Sequence, residues 1–310
     1  MAEKCDVAII GGGLAGLTAG LYAARLGLTT IVLERMMAGG QVINIEKLEN
    51  FPGFPNGIPG ADLGASIQEQ VSHAGADVRF TEVEGLKLTE PYRVVETLDG
   101  LLEAKTVIIA SGSSLRKLGV PGEEEFFGRG VSQCASCDGN FFANLPVAVV
   151  GGGDSALDEA LVLTNYASKV TVLHRGTQFR AQGALQREIL GHPKIEVRWN
   201  TVLEEIIGQD DVKGIRVKDV AAGKASEEQV SGVFVFVGLE PNTKFLRGVV
   251  PLDGAGHIPV NLWMETTVPG VLAAGDLRQH SARQLASSAG DGATAAIAAG
   301  RYSSSRSWPG

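Results

Sequence analysis

The run Cys134-Ala135-Ser136-Cys137-Asp138 sets two thiols three residues apart with a carboxylate beside the second. Sulfurs at that separation open and close a disulfide, and each exchange step makes or consumes a thiolate, so thiol pKa and a nearby proton carrier govern the rate. Asp138 fits that carrier by spacing, and it fits a helix-capping aspartate nearly as well. Zinc is the competing chemistry. A structural zinc normally takes four ligands in two pairs, yet the other thiol is Cys5, and His73, His174, His192, His257 and His280 show no HxxxH-like pairing. Redox chemistry without a metal is the expectation, with Cys5, at the start of a buried strand, as inert core.

Two glycine motifs supply a second kind of chemistry. Gly11-Gly12-Gly13-Leu14-Ala15-Gly16 satisfies GxGxxG between an apolar run and a helical pattern. Its first glycine permits the tight turn, its second lets the backbone approach a pyrophosphate, and its third permits close helix-strand packing. Glu34, 18 residues beyond Gly16, ends the next apolar run, where a carboxylate accepts hydrogen bonds from an adenosine ribose. Gly151-Gly152-Gly153-Asp154-Ser155-Ala156 repeats the motif as GxGxxA, so two dinucleotides are expected. The same count beyond Ala156 lands on His174, followed by Arg175. A missing carboxylate and a guanidinium suit the 2'-phosphate of NADPH, with Arg180 as a second clamp; the competing reading is a solvated basic loop. Gly275-Asp276, then Arg283-Gln284 and a Gly290-Asp291-Gly292 start to a closing helix, offer a carboxylate and amides to a flavin's ribityl chain and ring edge.

The elements that must position these groups are legible as patterns. Val7 to Ile10, then Leu14, Leu17, Leu21 and Ala24 at helical spacing, then Thr30 to Leu33 read as strand, helix, strand. Val147 to Val150, then Ala156, Ala160 and Leu163, then Val170 to Leu173 repeat the order. Each half closes on a further strand, Thr106 to Ala110 and Val233 to Val237. Ser111 to Pro121 and Gly238 to Thr243 carry Gly, Pro and Ser with little periodicity, which marks two strands of a hinge. A last strand, Val271 to Ala274, precedes an Ala-rich helix from about Gly292 to Arg301, and a disordered tail is expected from Ser303 to Gly310.

With 310 residues and 44% hydrophobic content, two domains are expected. The 41 glycines follow no collagen period and cluster beside apolar runs. A net charge of -8 without a basic block argues against nucleic acid as a partner. No signal peptide and no stretch of about 20 apolar residues is present, so the expectation is a soluble, cytoplasmic protein with no membrane partner. In a reducing compartment a CxxC is a catalytic or metal site more often than a staple.

Taken together, these residues resemble the bacterial, low-molecular-weight thioredoxin reductases, from about residue 5 to residue 302. The resemblance rests on the GGGLAG opening, Gly39-Gly40-Gln41, Glu49-Asn50-Phe51-Pro52-Gly53, the CASCD box ahead of the second glycine motif, and AAGD followed by Arg283-Gln284. It implies an α/β fold of two Rossmann-like dinucleotide-binding domains. Residues 1–115 and 244–310 would form a discontinuous FAD domain, interrupted by an NAD(P)H domain, 116–243, that carries the CxxC. FAD would rest on Gly11, Gly13, Leu14, Ala15, Gly16, Glu34 and Arg35, on Gly40, Gln41, Asn50 and Gly112, and on Gly275, Asp276, Arg283, Gln284 and Leu285. NADPH would rest on Gly151, Gly153, Asp154, Ser155, Ala156, His174, Arg175 and Arg180.

The resemblance further implies a homodimer that reduces the disulfide of thioredoxin or a similar small protein, with Cys134, Cys137 and Asp138 as catalytic residues and Cys137 nearer the flavin. NADPH gives two electrons as hydride and a disulfide opens by thiolate chemistry; a flavin accepts the first and reduces the second. Rotation of the inserted domain about its two linkers would bring nicotinamide and CxxC to the flavin in turn. Two departures stand out: His174-Arg175-Gly176 where members using NADPH commonly read HRR, which leaves NADH or another donor open, and Ala110-Ser111-Gly112 where Ala-Thr-Gly is commoner. A flavin-dependent dithiol oxidase using oxygen, and a non-enzymatic redox sensor, are the competing readings.

Overall fold

In the computed structural model, which describes residues 2–45, 47–246 and 248–305, the glycine-bounded apolar runs form the middle of two parallel sheets. The chain divides into two compact units, Met1–Ser114 with Glu240–Gly310, and Leu115–Leu239. The discontinuous unit begins with β1 (Glu3–Ile10), α1 (Leu14–Arg25), β2 (Thr30–Glu34), α2 (Gly60–His73) and β3 (Asp77–Phe80), followed by β4 (Val83–Leu88), β5 (Arg93–Thr97) and β6 (Gly100–Ile109). Sheet order is β3-β2-β1-β6-β5-β4. Ile9 faces Val32 of β2 on one side and Ile108 of β6 on the other, in parallel register. A strand covered on both faces by other elements needs an unbroken apolar run rather than alternation, which is why Val7 to Ile10 carries no polar residue.

The chain leaves this unit through β7 (Ser113–Leu115). The inserted unit holds β8 (Val131–Ser132), α3 (Ala135–Asp138), β9 (Pro146–Gly151), α4 (Asp154–Thr164), β10 (Lys169–Leu173), α5 (Gly183–Gly191), β11 (Ile195–Arg198), an antiparallel meander of β12 (Thr201–Gly208), β13 (Val212–Asp219) and β14 (Lys224–Glu228), and β15 (Gly232–Phe236). Its parallel sheet runs β11-β10-β9-β15-β8. Val149, Leu157, Leu163, Ile189 and Phe234 form its core, with Phe142 edge-on to Phe234 at 5.3 Å between ring centres. The β9-α4-β10 unit repeats β1-α1-β2, so the fold is α/β with two Rossmann-like dinucleotide-binding domains.

The chain returns through β16 (Leu239–Pro241), which pairs with β7, and the discontinuous unit closes with β17 (Val271–Ala273) beside β6 and α6 (Leu285–Ser305). Both crossings fall within the segments read as hinge strands. The closing helix corrects the sequence reading: it starts at Leu285 rather than near Gly292. Gly290 and Gly292 look like helix breakers in sequence, but Gly292 is a packing position, since a Cβ there would lie 2.1 Å from Ala15 O of α1. The glycine lets α6 lie on α1, and the burial of Ala295, Ala296, Ala298 and Ala299 offsets the helix propensity lost. Ser303 to Ser305, expected in a disordered tail, belong to this helix; the rest of that expected tail, 306–310, lies outside the described residues. No helix among the described residues is long and apolar enough to cross a membrane.

Candidate active site

The residues singled out from the sequence fall into three constellations, each at a turn that follows a strand. In the discontinuous unit, Gly11 leaves β1 with φ +105°, and a Cβ on it would overlap Ala110 O at 2.4 Å. A Cβ on Gly16 would lie 1.9 Å from Gly11 O, so both positions accept only glycine if the loop is to fold back onto the sheet. Gly13 stands one residue before α1, where a Cβ would make only ordinary contact with Gly40 Cα at 3.9 Å, while Leu14 and Ala15 are buried. Glu34 closes the loop from the next strand: its Oε2 accepts from Gly12 N at 2.7 Å and its Oε1 from Met36 N at 3.0 Å. Arg35 is exposed and pairs with Glu82 at 3.7 Å.

A second layer packs on this loop. Gly39 N donates to Gly12 O at 2.7 Å, and Gly40 lies so near Gly13 that a Cβ on it would meet Gly13 Cα at 2.9 Å. Gln41 Nε2 donates to Ser113 O at 3.3 Å, and Gly112 O accepts from Asn242 N at 3.0 Å. Asn50 Nδ2 donates to Gln284 Oε1 at 3.4 Å, one residue before Leu285 opens α6. Arg283 stands in the left-handed region with φ +54°, its guanidinium 3.5 Å from His257 Nε2.

Asp276 is the electrostatic feature of this layer. Burial pushes its carboxyl above the ordinary aspartate range, against hydrogen bonds from Ser288 and Ser281 and the charge of Arg283, with Asp291 adding to the rise. Its two hydroxyl partners stand at 3.4 Å, so a half-buried carboxylate is left with long bonds and spare acceptor capacity. That is the environment in which the hydroxyls of a ribityl chain fit. The turn holding it is clamped by a pair that the sequence reading did not single out: Asp291 accepts from Gly275 N at 3.1 Å and from Arg278 Nε and Nη2 at 2.6 and 3.0 Å. Asp291 lies within α6 rather than at its start, a buried carboxylate whose charge is matched by a forked guanidinium.

In the inserted unit, Gly151 abuts Ala156, where a Cβ would come within 2.5 Å of the alanine methyl. Gly153 caps α4 with open space on its Cβ side, and Ser155 is exposed in the first turn. Asp154 fixes the neighbouring loop by accepting from Gln182 N at 2.7 Å and Gln182 Nε2 at 3.1 Å. His174 is buried, with Nδ1 2.9 Å from Gly151 O and Nε2 2.9 Å from Gln178 O, and its ring packs against Phe179 and Trp199. The imidazole thus braces the glycine loop. Arg180 N donates to Gly152 O at 2.9 Å, which ties the basic loop to the same turn. The side chains of Arg175 and Arg180 are exposed and make no hydrogen bond or ion pair among the described residues.

The third constellation is the disulfide. Cys134 and Cys137 are joined, with Cα atoms 5.3 Å apart. Cys134 is the N-cap of α3, and its Sγ accepts from Cys137 N at 3.2 Å. Cys137 is exposed and Cys134 half-buried. Asp138 is the last residue of that short helix and stands at the N-cap position of the 3-10 turn Gly139–Phe142, without a side-chain capping hydrogen bond. Beside it opens a groove of about 660 Å³, walled by Arg129, Phe141, Leu145 and Lys213. Phe141 is 75% exposed there. Glu159 of α4, also absent from the sequence reading, accepts from Ala135 N at 2.5 Å. Cys5, by contrast, is a buried free thiol that desolvation, with Asp6 and Glu3 nearby, pushes up to about 12.

Residues 5–300 match the family model described as pyridine nucleotide-disulphide oxidoreductase. The chain is 42% identical over 302 residues to the thioredoxin reductase of Treponema pallidum (strain Nichols), spanning 97% of this chain and 98% of that protein. It is 41% identical over 298 residues to the thioredoxin reductase of Bacillus subtilis (strain 168), spanning 96% and 94%. Among solved structures, thioredoxin reductase of Lactococcus lactis in its FR conformation superposes with a TM-score of 0.95 at 40% identity, covering 97% of this chain and 99% of that one.

Proposed function

The chain belongs to the pyridine nucleotide-disulphide oxidoreductase family as an oxidoreductase of the thioredoxin reductase type, and from that premise we propose that it passes two electrons from NADPH through FAD to the disulfide of thioredoxin or a similar small protein. The observation that carries the reading is a formed Cys134–Cys137 disulfide in the same unit as a glycine loop with two arginines beside it whose side chains have no partner among the described residues. Gly11, Gly13, Gly16, Gly40 and Asp276 would hold the FAD, and Gly151, Gly153, Arg175 and Arg180 the NADPH. Bound there, a flavin supplies the conversion between a hydride and the thiol chemistry of a disulfide.

What the protein's own residues do follows from their chemistry. Opening the Cys134–Cys137 bond takes two electrons and leaves one thiolate and, after uptake of a proton, one thiol. The thiolate attacks a sulfur of the substrate disulfide, a mixed disulfide forms, and a substrate thiolate leaves. Asp138, next in sequence to Cys137, carries the protons that these steps require. The second enzyme thiol then resolves the mixed disulfide and restores the starting pair. Arg175 and Arg180, both exposed, hold the 2'-phosphate, and Phe141 beside Asp138 gives a protein substrate an apolar anchor near the reacting sulfurs. The working molecule is a homodimer in the cytoplasm, where a CxxC with one inert buried thiol serves catalysis rather than a structural staple.

The test is NADPH oxidation by the flavoprotein with oxidised thioredoxin, set against oxygen consumption with a small dithiol. Thioredoxin-dependent oxidation of NADPH supports the reading. Oxygen consumption driven by the dithiol, with no use of NADPH, would transfer the assignment to a dithiol oxidase.

A further inference from the structure

The contact between Glu159 and the redox helix is not explained by nucleotide binding or by packing alone. Around Cys134 nearly every backbone group has a partner: Cys134 N donates to Ser132 Oγ at 3.0 Å, Cys134 O accepts from Asp138 N at 3.1 Å, and Cys137 N points to the Cys134 sulfur. Ala135 N, a further donor of the turn, belongs to a buried residue, and what it meets is a carboxylate from α4, 24 residues on in the chain. A neutral carbonyl or a water would satisfy an amide equally well. A carboxylate adds a fixed negative charge beside the one sulfur pair that must itself become negative.

We propose that Glu159 is a positioning residue for the redox pair: its carboxylate holds the Ala135 amide, so fixing the turn at Cys134, and its charge makes the Cys134–Cys137 couple more reducing. Covalent geometry keeps the Ala135 nitrogen within about 5 Å of the Cys134 sulfur, and so the bonded carboxylate oxygen within about 8 Å. Like charges at that separation, partly screened by solvent, shift an equilibrium by about three- to tenfold. The sign is set by the half-reaction. Disulfide plus two electrons and one proton gives a thiolate and a thiol, so a neighbouring negative charge disfavours the reduced side and leaves the dithiol with a stronger tendency to give its electrons away. The same α4 begins at Gly153, so a single helix carries the second glycine loop at one end and the brace of the disulfide along its side.

The inference rests on the redox reading of the pair, and the experiment separates the two. Wild type, Glu159→Gln and Glu159→Ala flavoproteins are equilibrated in dithiothreitol buffers of graded oxidation state, and the thiols are trapped and counted. Dithiothreitol reports the couple whether or not NADPH reduces it; failure of NADPH to reduce the wild type would strike the proposed function and leave this measurement standing. Glu159→Gln, which keeps the shape and an acceptor oxygen but loses the charge, is expected to make the disulfide three- to tenfold easier to reduce, a rise of about 15 to 30 mV. Flavin content and NADP+ affinity should not change. Glu159→Ala should move the couple in the same direction. An unchanged couple in a folded, flavin-bound Glu159→Gln protein overturns the proposal, as does weaker NADP+ binding with the couple unmoved, which would assign the carboxylate to the nucleotide loop. If Glu159→Ala does not fold, Glu159→Gln alone decides.

Discussion

Gly292→Ala tests whether the contact between α6 and α1 is as close as the structure draws it. In an exposed helix interior the change would be favourable, because alanine exceeds glycine in helix propensity by about 1 kcal/mol. At Gly292 the added methyl would stand 2.1 Å from Ala15 O, 3.0 Å from Ala15 C and 3.1 Å from Ala19 N, all backbone atoms of α1 that cannot swing aside. Overpacking of that kind costs about 1–3 kcal/mol, and backbone as the obstacle places it toward the upper end. The net expectation is a loss of about 1–2 kcal/mol, which for a unit of this size lowers the melting temperature by roughly 2–8 °C. Because α1 opens directly onto the Gly11 to Gly16 loop, flavin should also dissociate more readily. Gly290→Ala is the internal control: Gly290 is exposed in the same helix, and a Cβ there meets nothing within 4 Å, so propensity should win and stability should rise. Thermal unfolding followed by flavin fluorescence reads both variants. A gain of stability in Gly292→Ala equal to that in Gly290→Ala would refute the argument.

Changing Cys134 or Cys137 to Ser should reduce thioredoxin-disulfide turnover to background while the protein stays yellow and its flavin still bleaches with NADPH; absorbance spectra and a coupled turnover assay check both halves, and loss of flavin from both variants would contradict the separation of roles. Arg175→Ala removes a charge-assisted contact worth about 1.5–3 kcal/mol, so KM for NADPH should rise by roughly 10- to 100-fold while KM for NADH stays within about twofold; equal losses would mean that Arg175 does not read the 2'-phosphate. With its pKa pushed up to about 12, the Cys5 thiol is ionised in roughly one molecule in ten thousand at pH 8. A thiol reagent should therefore find no reactive sulfur in the oxidised native protein, two after reduction and a third only after unfolding, and rapid modification of Cys5 in the native state would contradict its burial.

The strand-glycine-helix units were legible because their signals are local. An apolar run, a glycine at the turn and apolar residues at helical spacing all lie within about 25 residues, and both β1-α1-β2 and β9-α4-β10 follow them. The start of α6 was not legible, because Gly292 serves a neighbour, Ala15, that lies more than 270 residues away in sequence; only the folded contact separates a packing glycine from a breaker. The same holds for Asp291, whose clamp on Arg278 and Gly275 depends on α6 lying across the end of β17, and for Glu159, which meets Ala135 only once α3 and α4 are packed. His174 shows a further limit. Its place after β10 marks the end of the nucleotide-type strand, and its ring stands between two carbonyl oxygens in a bracing position that no spacing rule specifies.

Under the proposed function electrons enter from a nicotinamide and leave through Cys134 and Cys137. The direct test is anaerobic mixing of the purified flavoprotein with NADPH and, separately, NADH, following flavin absorbance and counting thiols after rapid quenching. Fast bleaching by NADPH is expected, with slower or weaker bleaching by NADH and the appearance of two new thiols per chain that vanish on addition of oxidised thioredoxin. No bleaching by either nucleotide, or bleaching without new thiols, would contradict it.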